Sequence, residues 1–132
     1  MSDRGELARE AFAALNRRDV EAFVAAFAPE GEWWPLRSST EGAYRGHDAI
    51  RAYFDDTAEM FERLHAHLEE VHERGDVMLV FGRLDAKGRE SGAPIELAMA
   101  WVFRFAGDRV TWAKSFADRD EAIAESGLDP AA

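Results

Sequence analysis

Across 132 residues, 26 acidic side chains outnumber 16 basic ones and give a formal charge of −10, a field that repels phosphate backbones and anionic lipid and argues against nucleic-acid and membrane partners. The chain is long enough to bury a core as a single domain, 1–132, without disulfides or metal. Lacking cysteine, it can form no disulfide, thiolate metal site or cysteine nucleophile, which fits a reducing cytoplasm. The longest apolar run, Leu97 to Phe103, is far too short to span a bilayer, and no signal peptide or lipidation motif is present.

In chain order, Asp3 with Glu6 forms a capping-box pattern ahead of a helical stripe of Ala8, Ala11, Phe12 and Leu15. Asp19 reads as a second N-cap, followed by Val20, Phe23 and Phe27 on one helix face that Pro29 and Gly31 end. Glu32 to Leu36 is a short apolar segment holding Trp33 and Trp34, and Arg37 to Gly42 is polar and loop-like. Gly46 opens a third helix whose expected buried stripe is Ile50, Tyr53, Phe54 and Thr57. The stretch from Met60 to Val71 fits helical spacing, yet Leu64, Ala66 and Leu68 also alternate with Arg63, His65, His67 and Glu69; periodicity alone does not choose between helix and strand.

Val77 to Leu84 reads as a strand. From Ile95 to Phe105 every odd position is large and apolar (Ile95, Leu97, Met99, Trp101, Phe103, Phe105), whereas even positions are mostly small or charged, the pattern of a strand with one buried face. Gly107-Asp108 offers a two-residue turn into a strand from Arg109 to Ala117, and a short acidic helix follows. Helices first and strands afterwards predict an α+β domain rather than a parallel βαβ sheet.

These pieces resemble the SnoaL-like family of the nuclear transport factor 2-like superfamily. The likeness is carried by Asn16-Arg17-Arg18-Asp19, Phe27-Ala28-Pro29-Glu30-Gly31-Glu32-Trp33-Trp34-Pro35, Tyr44-Arg45-Gly46-His47-Asp48-Ala49-Ile50, Ser91-Gly92, Gly107-Asp108-Arg109-Val110 and Asp118-Arg119-Asp120-Glu121-Ala122. The resemblance implies a cone-shaped α+β barrel: a curved, mostly antiparallel sheet wrapped around three N-terminal helices, with a short C-terminal helix and an apolar cavity at the open end. It favours a strand over 62–73 and implies a homodimer through the outer sheet face. It is specific for fold and poor for activity, since relatives include isomerases, cyclases, epoxide hydrolases and non-catalytic domains.

In ketosteroid isomerases of the superfamily, an aspartate base, a tyrosine and an aspartic acid occupy positions that fall here at Trp34 or Pro35, at Ala11 and at Trp101; all three groups are missing, so that chemistry has no agent. Limonene epoxide hydrolase relatives carry Arg-x-Asp on one strand, matched by Arg83-Leu84-Asp85, and a second aspartate whose position falls near Ser115.

The leading expectation is a small hydrophobic ligand held by Trp33, Trp34, Phe54, Met99, Trp101 and Phe103, with no cofactor, and with cofactor-free isomerisation or cyclisation as the chemistry it would allow. Aromatic residues that merely fill the cone's core are the alternative. Catalytic candidates are Lys114, Arg83 and Asp85. If Gly107-Asp108 makes a simple two-residue hairpin, Trp101 faces Lys114, which becomes an ionisable group on an apolar face, a base or an anion anchor; the bland account has it snorkel to solvent or pair at a dimer interface. Arg83 and Asp85 read either as a polar pair at the cavity mouth or as a surface pair. His65, His67 and Glu69 share one face of the ambiguous segment and fit a solvated edge better than a metal site, so no metal is expected.

Overall fold

A computed structural model describes residues 3–36 and 42–128. The loop expected at Arg37 to Gly42 falls largely on residues 37–41, outside the described residues, as does the Asp3 side chain of the first capping pattern. The elements run α1 (Asp3–Asn16), α2 (Val20–Ala25), β1 (Phe27–Trp34), β2 (Tyr44–Arg45), α3 (His47–Met60), β3 (Phe61–Arg74), β4 (Val77–Gly88), β5 (Pro94–Ala106), β6 (Arg109–Phe116) and α4 (Arg119–Ser126). The strands form one open sheet in the order β2-β1-β6-β5-β4-β3. All neighbours are antiparallel except β1 and β6, which run parallel.

The three N-terminal helices pack on one face of this sheet. Ala8, Ala11, Phe12 and Leu15 of α1 are buried in one cluster with Phe23 of α2, Ile50, Tyr53 and Phe54 of α3, and the odd face of β5. Phe12 meets Trp101 and Phe103 edge-on, with ring centroids 4.8 and 5.7 Å away, the geometry aromatic quadrupoles favour. Asp19 caps α2 by accepting from the Ala22 amide. At the entry to α3, Gly46 takes φ +86°, a backbone conformation that L side chains rarely adopt. The expected stripe of Ile50, Tyr53, Phe54 and Thr57 is buried as a set.

Three expectations need correction. The second helix stops at Ala25, and Phe27 starts β1, because its backbone pairs with Val110 across the parallel ladder. Pro29 and Gly31 therefore lie inside a bulged strand, and β1 and β2 precede the third helix, so strands do not simply follow helices. The second face of β5 is buried as well. Ala100 and Val102, each 0% exposed, lie under α4 with Leu79, Phe81, Phe116, Ala122 and Leu128. A C-terminal helix thus covers part of the outer face with its own small apolar core. The ambiguous segment is, as the resemblance implies, a strand, β3, running from Phe61 to Arg74. Being an edge, it leaves backbone groups open, and the Asn16 side chain pairs with both the Ala66 amide (2.7 Å) and its carbonyl (2.9 Å) as a substitute strand would.

Candidate functional site

Antiparallel pairing brings the starts of β3 and β5 together with the ends of β4 and β6, and the parallel β1 ends beside β6. At the opposite end of the sheet the inner side chains are large and meet the helices, and Arg4 ties the start of α1 to the Gly75 and Gly107 carbonyls and to Asp76. At the end where β3 and β5 begin, small inner residues such as Ala86 and Ser115 leave a hollow of about 190 Å³. Trp33, Trp101 and Met99 wall its sheet side, Tyr53 and Leu15 its helix side. Ile95 and Leu97 line it too, but stand 39% exposed, so they form its rim. None of the fourteen described residues that line it is charged. A second hollow of about 130 Å³ adjoins it through Leu15, Tyr53 and Leu64, and there Phe54 sits near Arg18 and Asp55.

Gly82 is part of this construction. A Cβ there would run into the His67 carbonyl oxygen and come within 3.2 Å of Trp101 Cζ3. Glycine lets β4 approach the bulged β3 while the Trp101 ring lies over the same spot.

The six residues expected to hold a ligand divide. Trp33, Met99 and Trp101 line the larger hollow and Phe54 the smaller one. Phe103 packs against Phe12 and Phe105 in the core. Trp34 points the other way from Trp33, beneath Lys114, whose Nζ sits 5.3 Å from its ring. Leu84, Ala86 and Ser115 line the hollow without having been expected as ligand residues. For Leu84 and Ala86 the signal was present in the alternation of β4, whose even positions from Met78 to Ala86 share one face.

The catalytic candidates lie on the outer face. The hairpin turn is Gly107-Asp108 as expected, with Ala106 opposite Arg109, but a bulge inserts Thr111 so that Arg104 pairs with Trp112. Every later pair shifts by one: Trp101 faces Ser115, and Lys114 faces Val102 on the opposite side of the sheet. Lys114 rests between the Trp34 and Phe116 rings, each 5.3 Å away. Arg83 and Asp85 share a face, as the spacing requires, but it is the face without the hollow. Arg83 bonds Glu96 at 2.7 Å and Glu69 at 3.2 Å, and these carboxylates, Glu96 first, hold its guanidinium further above its ordinary value. Asp85 pairs with Arg63 at 3.1 Å. His65 Nδ1 and His67 Nε2 lie 3.1 Å apart on that face; among the described residues no group of three or more potential ligands gathers around a metal position. No helix among those residues is long and apolar enough to cross a membrane.

A half-open sheet curled over helices, with a hollow at one end, is the nuclear transport factor 2-like architecture, and solved structures of that class superpose on it. A nuclear transport factor 2-like protein of unknown function from Burkholderia pseudomallei matches with TM-score 0.82 at 25% identity, over 97% of this chain and 100% of that one. TerC co-crystallised with polyporic acid matches with TM-score 0.80 at 20% identity, over 95% of this chain and 98% of that one. A protein described as a SnoaL-like polyketide cyclase, from Shewanella denitrificans, matches with TM-score 0.72 at 17% identity, over 93% and 95% of the two chains. No curated protein matches the sequence. The SnoaL-like domain matches residues 8–113, and the chain belongs to that family.

Proposed function

We propose that this protein binds a small, flat, uncharged and largely apolar metabolite in the hollow between Trp33, Trp101 and Tyr53. The observation that carries this reading is a cavity of about 190 Å³ with no charged side chain among the described residues of its wall. A dry apolar cavity of about 150 Å³ takes benzene, so this one has room for a one- or two-ring compound. Burial between aromatic walls supplies affinity without a counter-ion. Polyketide- and terpenoid-like molecules have this character, and the fold belongs to a small-molecule-binding family. Isomerase or cyclase chemistry would need an acid or base; Tyr53 is the one titratable side chain among the described residues lining the hollow, and the charged Arg18 and Asp55 belong to the adjoining one. Hydrolysis through Arg83 and Asp85 would need side chains that here engage Glu96, Glu69 and Arg63 on the other face. Binding is therefore the reading that the geometry supports best.

A thermal-shift series with one- and two-ring aromatic and terpenoid compounds tests it. A specific ligand at a hundredfold excess over its Kd stabilises the fold by about 2.7 kcal/mol. The absence of any responder would remove the reading. We also propose a homodimer, seated on the outer sheet face left clear by α4; a monomer in analytical ultracentrifugation at high protein concentration would overturn that.

A further inference from the structure

Resting on that binding reading, we infer that Ser115 selects the ligand, and that the ligand presents a single hydrogen-bond acceptor, a carbonyl oxygen on an otherwise apolar ring system. Three polar side chains are buried among the described residues, namely Thr57, Ser115 and Ser126. Ser126 donates to the Ile123 carbonyl and accepts from the Leu128 amide, and Thr57 has an interaction of its own. Ser115, only 6% exposed, has no partner among the described residues, yet it lines the hollow. Folded proteins pair nearly all of their buried polar groups, so an unpaired hydroxyl at a cavity wall is a group kept for something that enters.

Its position gives the direction of recognition. Ser115 faces Trp101 directly across the β5–β6 ladder. On the other side, Trp33 pairs with Ala113, two residues earlier on the same face of β6. The hydroxyl therefore sits on the sheet between two indoles, where a flat ring would lie. The Ser115 hydroxyl has one proton to donate, and the group that takes it is an acceptor. A carboxylate would meet the same donor but lose its hydration where none of the described lining residues is a cation. A neutral carbonyl fits both constraints.

The test compares acetophenone with α-methylstyrene, which replaces the carbonyl oxygen by a methylene of similar shape, in wild type and in Ser115→Ala. Binding is followed by quenching of tryptophan fluorescence, with circular dichroism to confirm the fold. Ser115→Ala should weaken acetophenone about five- to tenfold, the loss of one hydrogen bond, and leave α-methylstyrene within about twofold. Equal effects on the two ligands, no effect on acetophenone, or α-methylstyrene binding while acetophenone does not, would each overturn the role of Ser115 and leave the cavity reading standing. Failure of both compounds to bind wild type would overturn the cavity reading with it.

Discussion

Filling the hollow separates a binding cavity from a packing defect, and Ala86 is the place to do it. Its side chain is 2% exposed, faces inward from β4 and borders the hollow of about 190 Å³. Ala86→Leu adds three carbons, about 80 Å³ at core density, less than half the available space. Withdrawn from water at about 0.8 kcal/mol per carbon, they contribute about 2.4 kcal/mol gross. Ordering the side chain costs about 0.5–1 kcal/mol, and imperfect fit costs up to about 0.5 kcal/mol more. The variant should therefore be about 1–1.5 kcal/mol more stable than wild type in urea unfolding at an unchanged m-value, and should lose binding of any aromatic probe that wild type takes up. Stability gained at the expense of binding is the mark of a cavity kept open for use. A destabilised Ala86→Leu would mean that the space is already occupied by packing. A stabilised variant that still binds would place the ligand elsewhere.

Gly82→Ala should destabilise by about 2–4 kcal/mol, since the new methyl meets the His67 backbone carbonyl rather than a side-chain tip that could move; a loss under about 0.5 kcal/mol in urea unfolding would show that β3 yields easily there. Lys114→Met should fold normally and bind an apolar probe within about twofold of wild type, because the ammonium lies across the sheet from the cavity; abolished binding with an intact circular dichroism spectrum would restore Lys114 to the site. Arg51, by hydrogen bonding, holds the Glu21 carboxyl below its ordinary value. The unfolded chain thus takes up that proton first on acidification, so the pair's contribution is complete at neutral pH and lost as pH falls through the folded-state value. The stability gap between wild type and Glu21→Gln should accordingly narrow as the pH falls from 7 through and below the ordinary carboxylate range, and a gap that widens in acid would contradict the pairing.

Much of this fold was legible because its signals are local and repeated. Helix stripes such as Ile50, Tyr53, Phe54 and Thr57 depend on a spacing that a chain shows without its neighbours. The strand from Ile95 to Phe105 announces its inner face in the same way, and Met99 to Phe105 are buried on it. Its outer face was hidden because burial of Ala100 and Val102 depends on α4, and alanine is small enough to pass for an exposed residue. The segment from Phe61 to Arg74 carries two periodicities at once; only the pairing with β4 selects the strand.

The site was less legible for a reason that one residue makes concrete. Strand periodicity is two, so a single inserted residue reverses every side chain beyond it. Nothing in Val110-Thr111-Trp112 marks Thr111 as the insertion; the bulge exists because Phe105 pairs with Val110 while Arg104 pairs with Trp112, and the Thr111 hydroxyl donates to the Arg104 carbonyl at 3.2 Å. That one shift moves Lys114 out and Ser115 in, replacing an apparent cation in the cavity wall by an unpaired hydroxyl. Removing the extra residue is therefore the most direct exchange between the two chemistries. A chain lacking Thr111 that still folded would carry a lysine in the cavity and a serine outside it. Such a variant should prefer an aromatic carboxylate to the matching ketone, the reverse of wild type.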